Sequence, residues 1–419
     1  MRPATPSTQR DPSLPAPNAP PGAPKAGVDA LALFGGPVSF SPPVSTSNLV
    51  RPDWAAFSAG IDLLYDRAAA GGAAALEARL EARAAAYHHT RFAVATANGF
   101  WALVLAIRAL ALPGRREVVM PSLTYRRLAD IVAWCGLVPH FCEVDPATLA
   151  LSPATVRPCL NERTALILGV HPIVNTCDAP GLEALAAETG LPLLFDAVES
   201  VHEAIGGRKV GGFGRAEVFS MHASKLINGF EGGYITTDDP VLAARLRALR
   251  DRAPLDEAAP AELGVDSRLS PLHAALTLAG FDDLPAQVER NRARYRLYQR
   301  LLPGLPGVRL LAFDETQPTS FKTIVVELGP EWPLSRDRTV DLLNREGVLV
   351  RAYYAPPLHR KKMQYPTVPV ELPLSDALAA RFMLMPCGHL VSLADIERTV
   401  ALMAWVAANA DEIRARWPA

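Results

Sequence analysis

Short apolar runs and amphipathic stretches take turns between residues 92 and 250, and no other feature narrows the possible folds of this chain as far. Residues 92–97 read as a strand, Asn98-Gly99 as a turn and 100–112 as a helix. Strands at 118–121, 138–144, 165–170 and 191–195 follow, with helices at 126–136 and 181–189 among them. Strands at 216–221 and 234–237 and a helix at 240–250 complete the series. The run at 165–170 is apolar throughout, as expected of a strand buried on both faces. Such alternation predicts an α/β fold with a doubly wound, largely parallel sheet and helices on both faces. Ligands of that architecture bind beyond the carboxyl ends of the strands. The residues that close each apolar run are therefore the candidates for chemistry.

The flanks read differently. Residues 1–26 are rich in Pro, Ala, Ser and Thr and carry almost no large apolar side chains, which predicts a disordered tail. Helices are expected at 53–70 and 73–87, the second with Leu76, Leu80 and Ala84 on one face. Residues 270–302 form a long, increasingly charged helical pattern (Glu289, Arg290, Arg292, Arg294, Arg296) that suits a bridge between two domains. A smaller α+β unit follows, with strands at 321–328 and 348–354 and helices at 335–347 and 392–408. Ser392 and Asp395 have the spacing of a helix cap with an acidic first turn. The expected division is a tail at 1–26, a large domain at 27–265, an interdomain helix at 266–303 and a small C-terminal domain at 304–419.

A chain of 419 residues can bury two cores, and 49% hydrophobic with 20% charged residues describes a soluble globular protein. A net charge of −1 supplies no attraction for nucleic acid or an anionic membrane. No apolar run reaches the ~20 residues of a membrane-spanning helix, and the start of the chain lacks the apolar core of a secretory signal. The five cysteines are scattered and show no CxxC spacing. They point to no disulfide framework and no metal site, and they suit a reducing cytoplasm.

Three strand-end features converge. Lys225 lies among small and polar residues between two apolar runs, in Phe219-Ser220-Met221-His222-Ala223-Ser224-Lys225. It is either an ordinary strand-end lysine or an amine partly desolvated for imine chemistry with an aldehyde cofactor. Asp196 closes the run at 191–195. Taken singly it reads as a helix cap or loop carboxylate; buried, it could hold a proton on a heteroaromatic nitrogen, as pyridoxal chemistry requires. Ser220 and the amides at the start of the Asn98-Gly99-Phe100 helix could face a phosphate. Beside them, His222 reads as a satisfied histidine or a proton shuttle. Arg126, next to Arg127, reads as a solvated helix start or a contact for an anionic substrate.

From about Phe34 to Ala408 the chain resembles the DegT/StrS-type sugar aminotransferases, fold type I enzymes that use pyridoxal 5′-phosphate. The resemblance is carried by Pro121-Ser122-Leu123-Thr124-Tyr125, Asp196-Ala197-Val198, Phe219 to Lys225, Glu231-Gly232-Gly233, residues 264–271, and Arg351-Ala352-Tyr353-Tyr354-Ala355-Pro356-Pro357-Leu358-His359. It implies a large domain with a mainly parallel sheet and a smaller α+β C-terminal domain. It also implies that Lys225 holds the cofactor as an imine, Asp196 meets the ring nitrogen, Tyr125 stacks on the ring and Ser220 binds the phosphate with Gly99 and Phe100. Arg126, His222, Arg351, Tyr354 and His359 are the implied substrate contacts. The implied reaction moves an amino group, from glutamate, to a keto group of a nucleotide-linked sugar or cyclitol, in a cytoplasmic homodimer with shared sites. Lys225 also separates the chain from the family's dehydratase branch, which has histidine there.

Several positions depart from the family pattern. Phe100 stands where many members have threonine, Glu199 where they have glutamine or histidine near the cofactor's phenolic oxygen, and Asp266 where an asparagine reaches the neighbouring subunit's phosphate. His171-Pro172-Ile173 replaces a histidine followed by an aromatic residue and glycine. These departures leave open a different pyridoxal-phosphate reaction (elimination, replacement or racemisation) or a non-catalytic member.

Overall fold

Seven strands assemble the single large sheet that the alternation predicts: β1 (Phe92–Thr96), β2 (Glu117–Pro121), β3 (Val138–Cys142), β4 (Thr164–Val170), β5 (Leu193–Asp196), β6 (Ala216–Ser220) and β7 (Gly233–Thr237). The computed structural model describes residues 25–46, 53–65, 72–251 and 263–418, so the tail expected at 1–26 lies outside the described residues except for its last two. The strand order is β1-β7-β6-β5-β4-β2-β3. All neighbours are parallel except β7, which runs antiparallel to both β1 and β6.

The central strands are apolar on both faces because both are covered. Leu166 and Leu168 of β4 join a core with the helices Gly99–Leu110, Leu128–Trp134 and Pro240–Asp251. Ile167, between them, joins Val119, Leu193 and Phe195 beneath the helix Ala179–Thr189. Alternate side chains thus feed two layers, which is why periodicity is lost from the sequence of β4.

A second, four-stranded sheet is antiparallel throughout: β8 (Val308–Leu310), β9 (Ile324–Leu328), β10 (Arg351–Ala352) and β11 (Phe382–Met385), in the order β8-β9-β11-β10. The strand expected at 348–354 is divided. Val348–Leu349 pairs with Val44–Ser45, and only Arg351–Ala352 joins the sheet, through β11. The strand expected at 321–328 starts three residues later, at Ile324, because Phe321 is held at φ 48, outside the β region. β8 and β11 are three and four residues long and escape periodicity for that reason.

Helix Pro271–Leu301 packs against Trp54–Tyr65, Gly72–His88 and Leu393–Ala408. The last of these starts with the expected reciprocal cap: the Asp395 amide donates to Ser392 Oγ and the Ser392 amide to Asp395 Oδ2, both at 3.1 Å. The N-terminal segment is tied to the C-terminal half through Glu346. This buried carboxylate accepts the Ala32 amide at 2.6 Å and the Ser39 amide and hydroxyl at 3.0 and 2.6 Å, and pairs with Lys25 at 2.9 Å. Among the described residues no helix is long and apolar enough to cross a membrane.

Candidate active site

The sheet brings the singled-out residues to one edge. Asp196 ends β5, Ser220 ends β6, and Lys225 lies in the loop leading to β7. Tyr125 is four residues beyond the end of β2. Because β7 runs antiparallel, its first residue, Gly233, returns to the same edge, opposite Ser220 on one side and Thr96 on the other.

There the helix Gly99–Leu110 begins. Asn98 caps it, its side chain accepting the Trp101 amide at 2.9 Å. A β-carbon on Gly99 would lie 2.9 Å from Ser220 Cβ, and one on Gly233 would lie 2.7 Å from the Gly99 nitrogen. Only glycine lets the three segments close together. The result is a hydroxyl beside free first-turn amides at the positive end of a helix dipole, which is an anion cradle. The Phe100 ring stacks edge-on with Trp101 and Trp134, at 5.3 and 6.3 Å between centroids. Position 100 therefore has its amide, and no side-chain hydroxyl, to offer the cradle.

Next to the cradle lies a charged cluster. Glu199 accepts a hydrogen bond from Lys225 Nζ at one carboxylate oxygen and from Lys322 Nζ at the other. Burial pushes the Glu199 carboxyl up, but the two lysines outweigh it and hold it at about 2. Asp196 goes the other way. Burial raises its carboxyl to about 6, against the pull of the Val198 amide, at 3.2 Å, and of Lys225. Burial also lowers Lys322, with Glu199 opposing. Tyr354, held at φ 44, has its phenol raised by burial and then by Tyr353, Glu199, Asp196 and Tyr125, so it faces the same cluster.

The remaining predicted residues are spread around this centre. Tyr125 is 44% exposed, its ring open to the edge. Arg126 is exposed, and its carbonyl accepts Lys361 Nζ at 3.0 Å. His222 is exposed, with Nδ1 3.0 Å from Ser224 Oγ. Asp266 is exposed beside Ser267, whose carbonyl takes the Ala97 amide at 2.7 Å. Arg351 is exposed on β10. The His359 side chain is buried, with Nδ1 2.7 Å from Ser122 Oγ and Nε2 3.3 Å from the Asp376 carboxylate. Lys322 was missed, although a signal existed: a single lysine at the start of the mainly apolar run at 321–328.

These residues fit pyridoxal phosphate on the structure's own terms. A buried carboxyl with a raised pKa suits a ring N–H, an amide cradle that tolerates no β-carbon suits a phosphate, and a lysine amine lies within electrostatic reach of that carboxyl. Fold and site together define a pyridoxal-phosphate-dependent aminotransferase. The chain belongs to the DegT/DnrJ/EryC1/StrS aminotransferase family, whose profile matches residues 72–404. UDP-N-acetyl-3-dehydro-alpha-D-glucosamine 3-aminotransferase of Acidithiobacillus ferrooxidans is 30% identical over 73% of this chain and 82% of its own length. L-glutamine:2-deoxy-scyllo-inosose aminotransferase of Streptomyces fradiae is 33% identical over 67% of this chain and 70% of its own. The crystal structure of DesI in the presence of its TDP-sugar product matches with a TM-score of 0.85 at 34% identity, covering 93% of this chain and 99% of DesI.

Proposed function

We propose that this enzyme transfers an amino group, with glutamate as donor, to a keto group of a nucleotide-linked sugar or cyclitol. The observation that carries the reading is the meeting of Lys225, Asp196 and the Gly99–Ser220 cradle at one edge of the sheet. The relatives' names support the acceptor class, since they include a UDP-linked keto sugar and a deoxyinosose.

When bound, pyridoxal phosphate supplies an aldehyde for imine formation and a ring that takes up the electron pair of a broken C–H bond. In this reading the residues have distinct tasks. Ser220 Oγ and the amides of Gly99 and Phe100 hold the phosphate. Asp196 accepts a hydrogen bond from the ring nitrogen and favours its protonated form; the positive charge opposite offsets the cost of ionising a buried carboxyl. Tyr125 offers its exposed ring as a flat support. Lys225 Nζ would hold the aldehyde and, once free of it, would take the proton from the substrate carbon and hand it on to the reacting atoms, as general base and then general acid. Tyr354 borders the acceptor, and Arg126, His222 and Arg351 are the polar groups open to it; His359 acts on that wall only through Ser122. The working form is a cytoplasmic homodimer in which Asp266 approaches the partner's phosphate site, a geometry that a fully active monomer would overturn.

Spectral titration tests the reaction. Glutamate alone should bleach the visible band of the purified protein and release pyridoxamine phosphate on denaturation. A keto-sugar nucleotide or a keto-cyclitol should restore the band. Failure of every amino donor, glutamine included, to yield pyridoxamine phosphate sinks the transaminase reading.

A further inference from the structure

The two lysines on Glu199 do not stand in equivalent places. Lys225 comes from the loop after β6 of the large sheet, whereas Lys322 precedes β9 of the small one. Their side chains are 16% and 8% exposed, and that of Glu199 is 17% exposed. Each amine takes one carboxylate oxygen, so the plane of the carboxylate is fixed from both ends.

The backbone around Lys322 is built to hold it there. Phe321 is at φ 48, a conformation that costs a bulky residue energy and persists only when its surroundings enforce it. Its ring is gripped by Tyr295 and Phe313, at 5.2 and 5.3 Å between centroids. The Lys322 carbonyl accepts Cys387 Sγ at 3.0 Å. A surface lysine would need none of this.

We propose that Lys322 is a positioning residue for Lys225: it keeps Glu199 ionised and oriented, and through Glu199 it governs how readily the Lys225 nitrogen holds its proton. The proposal rests on Lys225 being the cofactor-bearing amine. Once that nitrogen is engaged, Lys322 is the ammonium left to balance Glu199. Among the described residues the other groups facing the carboxylate are Asp196, Tyr353, Tyr354 and Cys387, none of them a cation, and Cys387 also faces Lys322. Removing Lys322 would leave a desolvated carboxylate against the Lys225 nitrogen, and one uncompensated negative charge favours the protonated form.

The test is a pH titration of the visible spectrum of the cofactor-loaded protein, read without turnover. In Lys322→Met the midpoint should rise by about one pH unit, the size expected of a full charge a few ångströms away. Lys322→Arg should stay near wild type. Glu199→Gln should move the midpoint down, and in the Lys322→Met/Glu199→Gln double variant the Met substitution should add little. If Lys322→Met does not load, Lys322→Gln replaces it. A wild-type midpoint in whichever of the two loads overturns the assignment. So does borohydride reduction with peptide mapping that finds the cofactor on Lys322. Failure of transamination with every donor would sink the reaction proposed above, and it would leave these midpoints to be read as before.

Discussion

Gly99 and Ser220 approach so closely that a methyl group on the first would stand 2.9 Å from the β-carbon of the second. One residue starts a helix and the other ends a strand, and Gly233 locks them together from the next strand. Gly99→Ala should therefore fold yet lose cofactor. Pushing Ser220 from the helix start removes a hydrogen bond to an ionised phosphate, worth about 1.5–3 kcal/mol, so the dissociation constant should rise by roughly one to two orders of magnitude. Equilibrium dialysis measures it, with circular dichroism as the control for folding. Wild-type affinity in this variant would refute the cradle.

Glu346 supports a prediction about stability alone. Its carboxylate satisfies the Ala32 amide and the Ser39 amide and hydroxyl, and it balances Lys25, more than three hundred residues earlier in the chain than the partner it meets. Glu346→Ala strands several partly buried donors at about 1–3 kcal/mol each. The expected loss is about 3 kcal/mol or more, with the fastest amide exchange appearing at residues 28–40. Unchanged exchange there would mean that the segment is held by its apolar contacts (Val28, Leu31, Phe40).

Ser392→Ala should cost about 1 kcal/mol, the usual value of an N-terminal cap, and leave the cofactor's spectrum untouched. Chemical denaturation measures the first and absorbance the second. This cap was legible in the sequence because both halves of it lie within four residues. The large sheet was legible for a related reason, since each of its strands is a local apolar run closed by a local turn. Asp196 and Ser220 were conspicuous because they close such runs, and Lys225 because it lies among small and polar residues just beyond one. What lay out of reach was pairing between distant segments. Nothing near Glu346 in the chain announces Ala32 or Ser39, and nothing near Glu199 announces Lys322. His359 shows the same limit: its motif implies a substrate contact, and nothing near it in the chain announces that Ser122 and Asp376 stand beside its ring. The split at 348–354 has the same origin, because the partner that draws off Val348–Leu349 is Val44–Ser45.

Asp196 yields a pH-dependent prediction whose sign follows from its burial. Its carboxyl titrates at about 6 in the folded protein against 3.8 when unfolded. Between those values the folded state binds the extra proton, so apoprotein stability is fullest below about pH 4 and declines as pH rises through 6. The loss is about 3 kcal/mol, because each pH unit separating the folded from the unfolded titration corresponds to about 1.4 kcal/mol. Asp196→Asn removes the titration while still able to accept the Val198 amide. The variant's apoprotein should therefore melt higher than wild type above pH 7, and the gap should close towards pH 4. The same substitution takes away the anion opposite the ring nitrogen, so transamination should fall by about two to four orders of magnitude, the range of a lost proton-handling group. A gain in apoprotein stability coupled to a loss of turnover is what a carboxylate buried for chemistry should give. If Asp196→Asn instead lowers the melting temperature equally at all pH values, the carboxylate is a structural acceptor and the role assigned to it fails.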